Sequence, residues 1–390
     1  MRPATAIKDE SAFLWPGHVC RHFTLDEIKS ATLNFNKKLV IGRGGFGDVY
    51  KAKIKNGSTN ATVAMKRLHL QSSQGAPEFW AEVKMLSKLH HCNLVSLIGY
   101  CNDEREMVLV YEYMQHGTVE DQLQSAEKLS WLQRLRICIE AARGLDYLHT
   151  RTGTRYGVIH HDVKTSNILL DENLTAKISD IRPAKISPIN QAHSYVSTRI
   201  KVTFGYMDPS YVNTGKLKRK SDVYTFGVVL LEEWGLATWA QHCIKKRRVS
   251  RIVDWTLHGQ TSASCLKEFA SITSCCLHEN PIKRPMMAEV VTRLVSLLSL
   301  QERIESSSGN NTTFIKMMQT LFLCRCRINC NNYILADETD SDIEASDEAG
   351  DINNAKMEQE ASSQLMHSFM DDGSSLIAKR TKKNLFKERD

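Results

Sequence analysis

The sequence has no apolar run approaching the roughly 18 to 20 residues that a helix needs to cross a bilayer. Its opening, "MRPATAIKDE", has no apolar core of the kind a secretory leader carries, so the expected compartment is the cytosol. No cysteine framework is present either. The 11 cysteines are odd in number and scattered through segments such as "RICIE" and "SCCLH", which argues against a disulfide scaffold and predicts buried thiols. The short basic runs "KLKRK" (216–220) and "IKKRR" (244–248) lack any aromatic platform or groove-reading module. They read as solvated helix faces and loops, with phosphate, acidic-peptide or nuclear-import roles as alternatives; no nucleic-acid partner is expected.

With 42% hydrophobic content, 390 residues can bury at least one large core and allow two or three domains. Charge divides unevenly. Residues 301–390 hold 11 Lys and Arg against 16 Asp and Glu, leaving 40 against 28 in residues 1–300, so the part expected to fold is basic. The acidic "ADETDSDIEASDEAGD" and the Ser-rich and Lys-rich stretches after it have too few apolar residues to bury, and 301–390 is expected to be a disordered tail.

In "FTLDEIKSATLNF", Thr24 and Glu27 stand at capping-box spacing, with Ile28, Ala31 and Phe35 at helical intervals, so a short amphipathic helix is expected over 24–35 after an N-terminal segment 1–23. "LVIGRGGFGDVYKAKI" reads as strand, glycine-rich turn and strand, and "ATVAMKRL" as a further strand with Ala64 and Lys66 on one face. Gly42, Gly44 and Gly47, followed by Val49, would let backbone N–H groups approach phosphate oxygens. A dinucleotide-binding turn has the same spacing, but a helix should follow it, and "DVYKAKI" favours a strand. "GAPEFWAEVKMLSKLHH" predicts a helix with Pro77 in its first turn and an apolar stripe of Phe79, Val83 and Leu86. Glu82 lies beside that stripe. A carboxylate there needs a cation, and Lys66 is the natural candidate. In "GVIHHDVKTSNILLDE", Asp162 and Asn167 are five residues apart with Lys164 between them, and Asp180 follows "AKIS".

In that order, these elements resemble the eukaryotic protein kinase pattern. The segments "EFWAEVKMLSKLHHCNLVSLIGYC", "ICIEAARGLDYLHT", "TFGYMDPSY" and "KSDVYTFGVVLLE" narrow the resemblance to plant receptor-like kinases of the FERONIA type, over about residues 20 to 300. The resemblance implies an α+β, two-lobed fold, with a β-rich N-lobe over 36–114 and a helical C-lobe over 115–300. It implies a serine/threonine protein kinase that uses ATP and Mg2+ and acts on protein substrates, with related membrane receptor kinases as further partners.

On the same grounds Lys66 would hold the α and β phosphates, oriented by Glu82. Asp162 would accept the substrate proton beside Lys164, and Asn167 and Asp180 would hold magnesium. Ile41, Gly42, Gly44, Gly47, Val49, Ala64, Tyr111, Glu112, Tyr113 and Met114 would surround ATP, with the hinge offering backbone groups to adenine. Thr203 would lie in the peptide-receiving loop, Asp222 would brace the catalytic loop, and Ser194, Ser197 and Thr198 would be loop phosphorylation sites. Such receptors carry an extracellular malectin-like region and a membrane span. Neither is seen here, which suggests a cytoplasmic fragment or a receptor-like cytoplasmic kinase. Acylation at Cys324 or Cys326 would place it at the plasma membrane.

Several positions depart from the pattern. His161 replaces an Arg, which puts control by loop phosphorylation in doubt because a neutral imidazole cannot pair with phosphate as a guanidinium does. Ile181, Arg182 and Pro183 follow Asp180 where an aromatic residue and a glycine are usual. Ser210 replaces a Glu, so Arg284 is expected to lose its carboxylate. "VVLLEEWGLATWA" runs on without a loop of roughly a dozen residues that relatives insert. Arg182, Ser210 and the missing loop support an alternative: a catalytically impaired pseudokinase that binds nucleotide or a partner receptor.

Overall fold

The computed structural model describes residues 20–307, apart from 45–46, 57–58, 70–74, 104–105, 126, 151–155, 182–184, 189–194, 198–202, 204 and 233–258. Thr24 caps helix α1 (Leu25–Ala31): its side chain accepts from the Glu27 N–H, and the Glu27 carboxylate accepts from the Thr24 N–H. Leu25 and Ile28 are thereby turned inward. With Phe23 they pack against Tyr50, Ala52, Ile54, Val63 and Met65.

The strands are β1 (Arg21–His22), β2 (Val40–Gly44), β3 (Gly47–Asn56), β4 (Thr59–Leu68), β5 (Leu97–Asp103) and β6 (Glu106–Glu112). They form a six-stranded sheet in the order β1-β5-β6-β4-β3-β2. Alternation along β3 explains its two faces: Tyr50, Ala52 and Ile54 are buried, whereas Lys51, Lys53 and Lys55 are exposed. Helix α2 (Gly75–Leu86) follows β4 and buries Phe79, Val83 and Leu86. Strand β1 lies parallel to β5, with Arg21 opposite Gly99 and His22 opposite Tyr100. The N-lobe therefore begins before residue 36, and the helix expected as a separate leader is part of its core.

The second lobe holds α3 (Val119–Gln124), α4 (Trp131–Thr150), α5 (Pro209–Thr214), α6 (Arg219–Glu232), α7 (Ala263–Cys276) and α8 (Met287–Ser307). Helix α4 runs through the centre and buries Leu135, Ile139, Ala142, Leu145 and Leu148 against residues of α6, α7 and α8. Short strands complete the lobe: β7 (Tyr156–Ile159), β8 (Ile168–Leu170), β9 (Ala176–Ile178), β10 (Lys185–Pro188), β11 (Val196–Ser197) and β12 (Lys216–Leu217). Strand β7 pairs with β10, β8 with β9, and β11 with β12.

The boundary expected at 300 is also too early. Helix α8 continues through Ser307, and Gln301 and Glu302 are only 2% and 4% exposed. Gln301 donates to Gln260 O at 2.9 Å, and Glu302 lies 3.5 Å from Arg136 of α4. Residues 308–390, with Cys324 and Cys326, lie outside the described residues, as do Arg182, Pro183, Ser194, Thr198 and the 233–258 segment after α6. Among the described cysteines, Cys101, Cys138, Cys265 and Cys276 are buried, but Cys20, Cys92 and Cys275 are partly exposed, which corrects the uniform burial expected. No helix among the described residues is long and apolar enough to cross a membrane.

Candidate active site

Strand register gathers the candidate nucleotide residues. Gly42 pairs with Val49, Val49 with Lys66, and Ala64 with Tyr111. Met114 is buried just beyond β6, and Ile41 is half exposed at the sheet edge. The glycines differ in purpose. Among the described residues, a Cβ on Gly44 would meet nothing within 4 Å, whereas one on Gly47 would lie 2.0 Å from the Arg67 carbonyl oxygen. Gly44 thus leaves open space of the sort a phosphate needs, while Gly47 is required by the close approach of β4.

Lys66 finds a different partner from the expected one. Its Nζ lies 3.2 Å from Asp180 Oδ1, while the Glu82 carboxylate, 2% exposed, accepts from the Tyr111 hydroxyl at 2.5 Å. In this arrangement a tyrosine hydroxyl meets the inward-facing Glu82, and the lysine neutralises the aspartate.

The loop between β7 and β8 is built around Asp222, which is 1% exposed on α6. Asp222 accepts from the N–H groups of His160 at 2.7 Å and His161 at 2.9 Å, and His149 Nε2 lies 2.9 Å away. Burial alone would raise its pKa, but the His149 hydrogen bond and nearby histidines outweigh this and hold the carboxyl below its ordinary value. His161 takes φ +74° and Asp180 φ +59°, left-handed values that are costly for residues with a Cβ and that cluster at functional sites. The His161 ring is buried edge-on against Tyr211, with ring centroids 5.4 Å apart.

Asp162 projects from this loop. Its Oδ1 accepts from the Thr203 hydroxyl at 2.8 Å; Lys164 Nζ lies 2.9 Å from Oδ2 and 3.2 Å from Thr203 Oγ1. Asn167 gives its Nδ2 to Asp162 O at 2.8 Å and Oδ2 at 3.0 Å, which leaves its amide oxygen as the available acceptor. Asn167 and Asp180 can therefore offer hard oxygen donors, a set that fits Mg2+.

Ser179 sets the carrier of Asp180. Its N–H and hydroxyl both donate to Asn167 O, at 2.9 and 3.0 Å, and its carbonyl oxygen is 2.9 Å from His160 Nε2. Because His160 Nδ1 accepts from the Asp162 N–H at 3.2 Å, Nε2 is the protonated nitrogen that donates to Ser179. Sequence reasoning missed Ser179, for nothing in its spacing distinguishes it.

Two expected defects look different in three dimensions. Ile181 is 2% exposed and packs into the C-lobe core, so a branched aliphatic side chain fills that seat. Arg284 keeps a carboxylate despite Ser210: its Nη2 is 2.7 Å from Asp208 Oδ1 and its Nη1 2.9 Å from Oδ2. Asp208 caps α5, where Pro209 opens the helix, and that cap brings its carboxylate within reach of the guanidinium. The Asp-Pro pair was the available signal, but only folding sets Asp208 beside Arg284. Ser197 lies in β11, paired opposite Lys216 of β12.

Residues 34–294 match the protein tyrosine and serine/threonine kinase family. The chain belongs to that family. Among its curated relatives from Arabidopsis thaliana it is 47% identical over 321 residues to a probable receptor-like protein kinase, covering 77% of this chain and 36% of that protein. It is 47% identical to receptor-like protein kinase FERONIA over 309 residues, 75% of this chain and 34% of FERONIA. With receptor-like protein kinase THESEUS 1 the identity is 45% over 303 residues, 73% and 35% of the two chains. The kinase chain thus spans about a third of the length of these relatives, and β1 with all of α1 extends its N-lobe ahead of the family match.

Proposed function

We propose that this kinase transfers the γ-phosphoryl group of ATP to serine or threonine hydroxyls of protein substrates. The supporting observation is the Thr203–Asp162–Lys164 cluster, in which a hydroxyl donates to a carboxylate under a lysine ammonium group. A substrate hydroxyl replacing that of Thr203 would give Asp162 its proton as the oxygen attacks phosphorus, and Lys164 would offset the charge that develops beside it. Lys66 would leave Asp180 for the α and β phosphates, and the hinge from Tyr111 to Met114 would hold adenine. Glu112 contributes its carbonyl there, because its N–H already donates to Ser96 O at 3.1 Å. Asn167 and Asp180 would hold magnesium, which neutralises charge on the phosphates when bound.

The pseudokinase alternative drew on three features. They are Arg182, Ser210 and the missing loop: Arg182 and the loop lie outside the described residues, and Arg284 has a carboxylate in Asp208 despite Ser210. No observation here favours that alternative. By analogy with the relatives, we place the chain in receptor-like signalling on the cytoplasmic side, with related receptor kinases as partners.

The deciding experiment is magnesium-dependent phosphate transfer to a protein substrate, with Asp162→Asn as control. Phosphoserine or phosphothreonine formed by the original chain and abolished in the variant is expected. Equal incorporation by both, or none by either, would overturn the reading.

A further inference from the structure

Strand β2 covers only the first part of β3. The register runs from Gly44 opposite Gly47 to Val40 opposite Tyr50, whereas β4 accompanies β3 as far as Asn56 opposite Thr59. Beyond Tyr50, β3 therefore has no strand on its second side among the described residues. A backbone edge of this kind presents hydrogen-bonding groups to any strand that can lie against it.

A groove of about 830 Å3 follows that edge, lined by residues of β3 and α1. Its apolar part includes Ala31, Leu33 and Leu39. Ala31 and Leu39 pack with Tyr50, Ala52 and Ile54, on the buried face of β3. Leu33, Asn34 and Phe35 take left-handed φ values of +49°, +55° and +56°, a run that L-residues adopt only at a cost. That turn leaves Leu33 65% exposed at the groove.

Lys51, Lys53 and Lys55 also line the groove. Alternation puts all three on the exposed face of β3, roughly 7 Å from one to the next. Lys51 Nζ lies 4.4 Å from the centre of the Tyr113 ring, whereas Lys53 and Lys55 have no ion pair among the described residues. On α1, Glu27 is paired with Arg21, so Asp26 is the remaining acid of the groove. Three ammonium groups thus face one carboxylate.

We propose that this edge is a docking site for an extended acidic segment of a partner protein, with Asp or Glu at alternate positions, which adds as a strand beside Lys51–Lys55. The lysines select the strand. Two copies of this edge would bring ammonium groups face to face, so self-association is opposed, while acids at alternate positions would lie directly across from the lysines. Residues between the acids turn to the other face, where Ala31 and Leu39 offer apolar cover to small side chains. Docking here requires no phosphotransfer, so its test is independent of the kinase reading.

The test is binding of a fluorescent peptide, Thr-Asp-Val-Asp-Thr-Glu-Val-Asp-Thr, to the full chain, followed by anisotropy. A control peptide has the same composition with its acids contiguous. The alternating peptide is expected to bind at least about tenfold more tightly than the control, because only its acids match the lysine spacing. Lys53→Gln with Lys55→Gln should weaken it by about tenfold. Lys53→Glu with Lys55→Glu should instead favour a peptide carrying Lys in place of each acid. Leu33→Asn, a residue that accepts left-handed backbone, should weaken binding by about threefold without loosening the turn. No binding of the alternating peptide, equal affinity for the control, or unchanged affinity in the double glutamine variant would overturn the proposal. So would binding to phosphatidylserine vesicles in place of the peptide.

Amide hydrogen exchange reads strand addition directly. With saturating peptide, the edge-facing amides within Lys51–Lys55 should slow by about tenfold in the original chain and not in the double glutamine variant. Unchanged exchange there would show that no strand is added and would overturn the proposal.

Discussion

Lys66 Nζ lies 3.2 Å from Asp180 Oδ1, so the lysine expected on phosphate oxygens is bonded to the aspartate expected on the metal. Lys66→Met is predicted to leave the N-lobe folded, because the replacement packs where the lysine stem did. It should lower kcat/KM for phosphotransfer by at least about a hundredfold through loss of the phosphate contact. Turnover within threefold of the original chain would remove Lys66 from the site.

Asp208 and Arg284 form a buried bidentate pair whose side chains are 2% and 0% exposed. Asp208→Ala strands the guanidinium and should cost about 3 to 5 kcal/mol in urea unfolding. Ser210→Glu, by contrast, should change stability by less than about 0.5 kcal/mol, since Arg284 already has its carboxylate. A large gain from Ser210→Glu would show that Asp208 does not replace the missing glutamate.

Ile28 is completely buried between α1 and the sheet. Ile28→Ala should destabilise the chain by about 2 to 5 kcal/mol. Removing residues 1–35 should be more damaging, because Phe23 and Leu25 leave the same core. Stability equal to the full chain after that deletion would make α1 an appendage.

Glu232 ends the described part of α6 and accepts from Thr165 Oγ1 at 2.8 Å and from the Tyr206 hydroxyl. Burial raises its pKa despite both hydrogen bonds. A carboxyl that holds its proton more tightly when folded makes stability fall as pH rises through the usual carboxylate range and up to the raised folded value. Glu232→Gln keeps an acceptor for both donors without titrating. Its stability should therefore lose that downward slope, as measured by urea midpoints from pH 4 to pH 7. An identical pH profile in both proteins would remove Glu232 as the cause.

Ile181 fills a core seat at a position where the family pattern led to the expectation of an aromatic residue. Ile181→Phe adds volume to packed surroundings and should cost about 1 to 3 kcal/mol unless its neighbours repack. A rise in melting temperature would indicate room that the present packing does not reveal.

Local chemistry made much of this protein legible from sequence. The Thr24–Glu27 box and the alternation in β4 are short-range signals, and the order of Gly42, Lys66, Glu82, Asp162, Asn167 and Asp180 carried the family resemblance that implied the two-lobed fold. Other features depend on which distant groups meet. Asp208 and Arg284 are 76 residues apart, Lys177 and Glu112 65, and Lys66 and Asp180 114. No sequence period encodes those meetings. A lone Ser210 therefore looked like a lost partner, and Glu82 looked committed to Lys66. Packing of α5, α6 and the 278–284 turn puts Asp208 against Arg284, and the approach of β9 to the hinge decides which cation each carboxylate reaches. A buried charge must be compensated by whichever opposite charge the fold brings closest, and only the tertiary structure makes that choice.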